Sequence, residues 1–223
     1  MFKRFYIILF FLILISWKGV AQKGTWALTF TPALVETSTI RYGLQMGSAY
    51  TLNSHLQLLT EGTVALGQVD ESNSTHTRFF RLKPELRYFL ASEHVPFRTY
   101  LGLQVAYAHR SWVSPSSGVF NEGSFSSDSV VRYASANVRS PFLSFTTQFG
   151  GVLKLRNRIS LDGFIGLGVK SVFTSYSNIK NPEKALAVPV KCRIMFRPNP
   201  AWWVNGTLTR FQFNTGIRIL YRL

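Results

Sequence analysis

The sequence predicts an all-β protein, a transmembrane antiparallel up-and-down β-barrel. Three observations carry this prediction: polar and apolar residues alternate over long segments, the polar faces are rich in small residues, and short turns alternate with longer ones. A tilted strand needs about 9–11 residues to cross a membrane, whereas strands of soluble domains average five or six. Hydrophobic residues make up 46% of the chain and charged residues only 16%, which is low for a soluble domain.

Eight strands are predicted, at residues 25–35, 40–52, 56–67, 78–90, 98–110, 142–155, 158–173 and 211–223. The period is two throughout, and the three-and-four spacing of a helix is missing. The apolar faces are, in order along six of these strands, Ile40, Tyr42, Leu44, Met46 and Tyr50; Phe80, Leu82, Leu86, Tyr88 and Leu90; Leu101, Leu103, Val105 and Tyr107; Leu143, Phe145, Phe149, Leu153 and Leu155; Ile159, Leu161, Ile165, Leu167 and Val169; and Phe211, Phe213, Ile217, Ile219, Tyr221 and Leu223.

The direction of these faces decides between a soluble and a membrane barrel. In a soluble barrel the apolar face points inward, whereas in an outer-membrane barrel it meets lipid and the polar face lines the interior. Gly, Ala, Ser and Gln dominate the polar faces and fit a narrow lumen, which favours the membrane barrel. The turns near 53–55, 91–96 and 156–158 are short, and the loops 69–76, 111–140 and 174–185 are long. Short periplasmic turns opposite long external loops are typical of the outer membrane.

Residues 186–209 leave the strand count open. Leu186, Val188 and Val190 begin an alternating run, and Pro198-Asn199-Pro200 turns the chain. This hairpin either belongs to a long external loop, which gives eight wall strands, or adds two wall strands, which gives ten. The return arm is short, so eight strands are favoured.

The first residues predict an export signal. A basic start is followed by an apolar stretch that is too short to span a membrane as a helix, and Gly19-Val20-Ala21 offers the small residues that a signal peptidase reads. We therefore expect residues 1–21 to be cleaved and residues 22–223 to form the barrel in the bacterial outer membrane. The single cysteine, Cys192, excludes an intramolecular disulfide.

The C-terminal strand resembles the terminal β-signal of outer-membrane proteins. The matching positions are Asn214, Gly216, Ile219 and Tyr221, although the chain ends in Leu223 where Phe is frequent. The resemblance implies recognition by the barrel-assembly machinery.

Several short glycine-aromatic motifs resemble one family of small Gram-negative outer-membrane β-barrel proteins of unknown function, with an OmpX/OmpA-like architecture. The motifs are Gly24-Thr25-Trp26, Gly43-Leu44-Gln45-Met46-Gly47, Glu85-Leu86-Arg87-Tyr88-Phe89-Leu90, Tyr100-Leu101-Gly102-Leu103-Gln104, Ser140-Pro141 and Leu161-Asp162-Gly163-Phe164. The similarity covers most of the mature chain, although each motif is short. The resemblance implies the fold and the location, and it brings no known activity.

The polar faces carry the charges, which predicts a lumenal charge network. Its members are Arg41, Glu61, Arg81, Lys83, Glu85, Arg87, Asp162, Lys170 and Arg218. If the third and fourth strands form a hairpin with its turn centred near residue 72, Glu61 lies opposite Lys83. An eight-stranded barrel is just wide enough to be filled by its own side chains, so a filled lumen is expected. The formal charge of +15 leaves a small anion-preferring pore as the alternative.

A lipid A-modifying hydrolase at the outer rim is the less favoured alternative. His109 and Ser111 share a strand face, and Glu122 or Asp128 could orient the histidine. The spacing resembles that of outer-membrane lipid A deacylases, but Trp112 stands where that family has an Asn. We therefore expect no enzyme activity.

The favoured function is a structural or binding role through the extracellular loops. Loop 111–140, with Phe120, Phe125 and Tyr133, is the expected recognition surface.

Expected partners are outer-membrane lipid and lipopolysaccharide, which would be contacted by loop and rim cations such as Arg78, Arg132, Arg139, Lys180 and Lys184. The scattered basic residues and the export signal argue against nucleic acid. A monomer with no cofactor is expected. No metal site is expected either, since His55 and His94 are predicted in separate periplasmic turns and His76 in an outer loop. An interfacial aromatic girdle is predicted at Trp26, Trp112, Trp202 and Trp203.

Overall fold

The structure, a computed structural model, describes residues 24–36, 44–64, 75–91, 95–114, 118–122, 129–186 and 204–223. The predicted signal segment and Arg41 lie outside these ranges. The strands are β1 (Trp26–Glu36), β2 (Leu44–Thr51), β3 (Leu56–Val64), β4 (Thr75–Phe89), β5 (Phe97–Ser114), β6 (Gly118–Glu122), β7 (Ser129–Tyr133), β8 (Ser135–Arg139), β9 (Phe142–Lys154), β10 (Ile159–Lys180), β11 (Glu183–Leu186) and β12 (Val204–Arg222). Within the described residues, no helix has the length and apolar character needed to cross a membrane.

Eight of these strands close into a ring. Antiparallel ladders join β1 to β2, β2 to β3, β3 to β4, β4 to β5, β5 to β9, β9 to β10, β10 to β12, and β12 back to β1. Because the first and last strands pair, the wall has no free edge along these ladders. The prediction of an all-β antiparallel barrel with eight wall strands is confirmed.

The ten-strand alternative is wrong, because β10 pairs directly with β12 from Ile159↔Tyr221 to Thr174↔Gly206 and leaves no place for two further wall strands. Strand β12 begins at Val204, seven residues before the predicted start at 211. Residues 187–203 of the ambiguous segment lie outside the described part of the chain.

Side chains alternate between the two faces of the wall with period two. On β5, Leu101 and Leu103 are 53% and 49% exposed, whereas the intervening Gly102 and the following Gln104 are buried. The same alternation holds on β4, where Leu82 and Leu86 point outward. The barrel is therefore apolar on the outside and polar on the inside, as the sequence predicts for a membrane barrel.

Three wall strands continue well beyond the ends predicted for them. Strand β5 runs to Ser114 and β10 runs to Lys180, so the predicted loops 111–140 and 174–185 are partly wrong. Strands β8 and β9 keep one register against β5 across Ser140-Pro141: Ala108 pairs with Phe142 and Ser111 pairs with Arg139. The extension carries serine and arginine on its outer face, so the alternation of apolar with polar residues that marks the lower wall stops here.

A small sheet forms between the long connections. Strand β7 pairs with β6 and with β11, and β6 pairs in parallel with the start of β12 at Val204 and Asn205. Buried Phe120 stacks on Tyr176 of β10, with ring centroids 4.1 Å apart. Tyr133 and Val131 complete this cluster with Ala136 of β8. The described residues 118–122 and 129–140 of the predicted external loop thus form a packed structure.

Candidate functional site

Six charged side chains meet inside the barrel and are called the lumenal network below. They are Glu61 on β3, Lys83, Glu85 and Arg87 on β4, Asp162 on β10, and Arg218 on β12. Each is at most 2% exposed. The group contains three acids and three bases, so its formal charges balance.

Arg218 is the centre of the lumenal network. Its guanidinium lies 2.8 Å from Glu85 Oε2, 3.1 Å from Asp162 Oδ2 and 3.2 Å from Glu61 Oε2. The same group stacks on the ring of Phe164, 3.8 Å from its centroid. In the ring of wall strands, β12 and β4 are separated by three strands on either side, so the contact with Glu85 crosses the full width of the lumen.

Arg87 makes a second connection across the lumen. Its Nε donates to Glu85 Oε1 at 2.8 Å, and its Nη2 donates to Asp162 Oδ2 at 2.7 Å. Tyr100 supports this pair from β5: its hydroxyl donates to Asp162 Oδ1 at 3.0 Å, and its ring lies under the guanidinium at 4.4 Å. Charge-assisted bonds of this length are the strong kind of hydrogen bond.

Glu61 accepts hydrogen bonds from residues on nearby strands of the same side of the barrel. Thr31 donates to Oε1 at 2.6 Å, and Gln45 donates to Oε2 at 2.7 Å. Lys83 lies 3.3 Å from Oε2 and is the register partner of Glu61 on the neighbouring strand. A buried carboxylate needs such partners, because an unpaired charge is costly away from water.

Buried apolar clusters adjoin the lumenal network. Phe89, Tyr100 and Phe164 form one of them, and its rings contact the guanidinium groups of Arg87 and Arg218. Toward the long connections, Ala108, Phe142 and Val172 form another, on which Lys170 places its ammonium 3.9 Å from the Phe142 ring centroid. The described interior is thus occupied by apolar as well as charged side chains.

The structure brings together six of the nine residues predicted as a lumenal network. Of the others, Arg81 is buried beside it and donates to Gln45 at 3.2 Å, and Lys170 contacts the apolar cluster around Phe142. Arg41 lies outside the described residues. Sequence reasoning missed Tyr100, although it shares the inward face of β5 with Gly102 and Gln104 and could have been found by the same alternation.

The predicted β-signal residues lie along β12. Asn214 and Gly216 pair with Glu36 and Leu34 of β1, and the outward Ile219 and Tyr221 pair with Phe30 and Leu28. The side-chain amide of Asn214 occupies the space over Gly166 of β10, where a Cβ would collide with it. The recognition of this strand by an assembly machinery stays a prediction.

The rim residues of the predicted hydrolase do not assemble into a described catalytic group. His109 and Ser111 lie on the outer face of β5, two residues apart and therefore about 6.6 Å along the strand. Among the described residues, no hydrogen bond joins them, whereas a base and its nucleophile need one of about 2.6–3.2 Å. Glu122 lies at the end of β6. The side chain of Glu122 and the whole of Asp128 lie outside the described part of the chain.

The aromatic girdle is only partly as predicted. Trp26 is half exposed at the end of β1 and packs on Tyr50, with ring centroids 4.8 Å apart. Trp112 is buried under the guanidinium of Arg110 and faces the interior, which corrects its predicted place at the interface. The prediction failed because the alternation continues to the end of β5, so Trp112 shares the inward face of Gln104 and Ala108. Trp202 and Trp203 lie outside the described residues.

No site for a metal ion is found in the described part of the chain, where no three His, Cys, Asp or Glu side chains come together suitably. The expectation that the protein needs no metal or cofactor stays a prediction.

A closed antiparallel ring with an apolar outer face and a polar, filled interior defines the class of transmembrane β-barrels. No family model matches the chain, and no curated protein matches it in sequence. The resemblance to a family of small outer-membrane barrels therefore stays a prediction.

Among solved structures, the chain is similar to a major outer membrane protein from Thermus thermophilus. The two are 10% identical, with a TM-score of 0.41, over 91% of this chain and 100% of that chain. The barrel assignment rests on the strand pairing and not on this low similarity.

Proposed function

We propose that the protein is an integral barrel of the bacterial outer membrane that does not conduct and that acts through its extracellular part, in a structural or binding role. The observation that carries this proposal is the lumenal network, in which side chains from opposite walls meet. The proposal has two parts, the membrane location and the closed lumen, and different contacts support each.

The outer surface supports a membrane location. On the outward face of β5, Phe97, Leu101, Leu103, Val105 and Tyr107 are exposed apolar side chains, interrupted only by Thr99. This face spans about 33 Å of strand. At a tilt of 35–45° this length covers about 25 Å of the membrane normal, the height of the apolar band of known membrane barrels.

The hydroxyl groups on this outer surface also suit a lipid environment. Thr147 donates to the Leu167 carbonyl at 3.1 Å, and Thr215 donates to the Phe164 carbonyl at 2.9 Å. Ser171 and Thr209 bond each other at 2.9 Å. A hydroxyl group facing hydrocarbon has no water to bond, so a partner on the protein lowers the free-energy cost of that position.

The interior supports a closed lumen. Arg218 of β12 reaches Glu85 of β4 directly, and Arg87 of β4 reaches Asp162 of β10. These contacts leave the charged residues paired with one another, and an apolar cluster covers them toward the long connections. A conducting path would need the paired charges separated. A small anion-preferring pore is therefore disfavoured.

The asymmetry of the two ends supports an outward-facing role. The strand ends joined by the short connections β2–β3, β4–β5 and β9–β10 lie at the same end as Trp26 and Leu223, whereas β5, β10 and β12 extend at the other end. Long connections face outward in outer-membrane barrels. The ordered sheet of β6, β7 and β11 then lies outside the cell, where binding residues can be displayed.

Cysteine labelling of intact cells tests location and orientation together. In a Cys192→Ser background, Asn137→Cys at the extended end is expected to react with a membrane-impermeant maleimide. Asn157→Cys, which is exposed in a short turn, is expected to react only after the outer membrane is permeabilised. Labelling of Asn157→Cys in intact cells, or of neither position, would contradict the proposal.

A further inference from the structure

We propose that the outward face of β5, β8 and β10, immediately above the apolar belt, binds a phosphate group of an outer-leaflet glycolipid, with Arg139 as its central residue. This inference rests on the proposed function for the orientation of the barrel. Three features support it: the register of the three strands, the height of Arg139 on the wall and the distribution of charge.

The three strands place Arg139 between two hydroxyl groups, one on each neighbouring strand. Arg139 is the register partner of Ser111 on β5 and of Ser175 on β10. Residues paired in this way have Cα atoms about 4.5–5.5 Å apart. A phosphate bound to the guanidinium of Arg139 is therefore within reach of a hydroxyl donor from each neighbouring strand.

All three side chains point away from the interior. On β8, Ala136 and Val138 are buried, whereas Arg139 is exposed. Ser111 and Ser175 each follow a buried inward residue, so they share the outward face with Arg139. The group is thus presented to whatever surrounds the barrel at this height.

That height is the upper boundary of the apolar belt. Two residues below Ser175 on the same face, Phe173 is exposed, and below it the exposed positions include Leu143 and Tyr107. Two residues above Arg139, Asn137 and its register partner Ser177 on β10 are polar. A shift of two residues is about 5 Å along the membrane normal at the usual tilt, so Arg139 lies at the level of lipid headgroups.

The charge at this level suits an anion. Of the acidic side chains that the structure describes, Glu61, Glu85 and Asp162 lie in the lumen, and Glu183 is the register partner of Arg132. Arginine binds phosphate through two parallel hydrogen bonds, which fixes orientation as well as adding attraction.

The opposite end of the barrel offers a matched control. Arg156 is also an exposed arginine, but it lies in a short turn and not beside two serines at the edge of the belt. A general attraction of the protein surface for anionic lipid would involve both arginines, whereas a built site would involve Arg139 alone.

The test measures binding of lipid A to the delipidated, refolded full-length barrel by native mass spectrometry. The wild type is expected to bind phosphorylated lipid A at least about tenfold more tightly than dephosphorylated lipid A, the effect of losing a charge-assisted hydrogen bond. Arg139→Gln is expected to lose this preference, and Arg156→Gln is expected to keep it. Heat-dependent mobility on gels checks that each variant is folded.

A second variant and a second probe keep the test decisive. Ser111→Ala combined with Ser175→Ala is expected to weaken binding of phosphorylated lipid A about threefold, less than Arg139→Gln, since a serine hydroxyl donates to the phosphate but carries no charge that attracts it. Inorganic phosphate is expected to compete only at concentrations far above that of lipid A; equal competition would overturn a lipid site in favour of a free-anion site.

Equal binding by wild type and Arg139→Gln would also overturn the inference. In that case, labelling of Asn137→Cys on intact cells would still stand as support for the proposed function. Failure of that labelling would instead remove the proposed function itself.

Discussion

Replacing Arg218 with methionine removes the centre of the lumenal network. The substitution keeps an unbranched apolar stem but leaves Glu61, Glu85 and Asp162 without the guanidinium that lies 2.8 to 3.2 Å from each of them. Removing one partner of a buried ion pair costs about 3–5 kcal/mol. Because Arg218 serves three carboxylates at once and is 0% exposed, we expect a loss near the upper end of that range.

Two further variants separate charge from geometry. Arg218→Lys keeps the charge but cannot place donors on three carboxylates, so we expect a loss of about 2 kcal/mol. Combining Arg218→Met with Glu85→Gln removes one charge of each sign. This pair is therefore expected to be more stable than Arg218→Met alone, by about 1 kcal/mol or more.

The assay is equilibrium unfolding by urea of the barrel in lipid vesicles, followed by tryptophan fluorescence. Arg156→Met is the control, since substitution of an exposed surface residue usually changes the free energy of unfolding by less than about 0.5 kcal/mol. If Arg218→Met unfolded within about 0.5 kcal/mol of the wild type, the reasoning about the lumenal network would be refuted.

Four other predictions concern separate parts of the molecule. Glu61→Gln should lower the free energy of unfolding by about 3 kcal/mol in the same assay, because two cations lose their carboxylate. Gly166→Val should lower it by about 1–3 kcal/mol through collision with Asn214. Phe120→Ala should speed protease cleavage of the outer sheet on intact cells, while the unfolding midpoint of the barrel stays near that of the wild type, since Phe120 packs only in the extension. Ser111→Ala should leave the mass spectrum of cellular lipid A unchanged; altered acylation would instead support the hydrolase.

The wall of the barrel could be predicted from the sequence because the lipid boundary enforces a strict period of two. Leu101 and Leu103 must meet lipid, so the residues between them must face the lumen. Above the belt this constraint ends, and residues such as Arg139 and Ser175 can point outward. The extensions of β5 and β10 and the short strands β6, β7, β8 and β11 were missed for that reason.

The lumenal network could be predicted in part. The pairing of Glu61 with Lys83 follows from the register of two adjacent strands, which the length of a hairpin constrains. The contacts of Arg218 with Glu85 and Asp162 join strands that are distant along the chain and depend on how the barrel closes. No local pattern in the sequence specifies that closure.

The most direct test of the account is the conductance of the purified, folded barrel in a planar lipid bilayer. Because side chains from opposite walls meet in the lumen, the wild type is expected to show no current steps above baseline at either polarity. The conductance of Arg218→Met and of Glu61→Gln, two variants that weaken those contacts, is measured for comparison with that of the wild type. Reproducible ohmic steps from the wild type, with a preference for anions, would contradict a closed lumen and restore the pore.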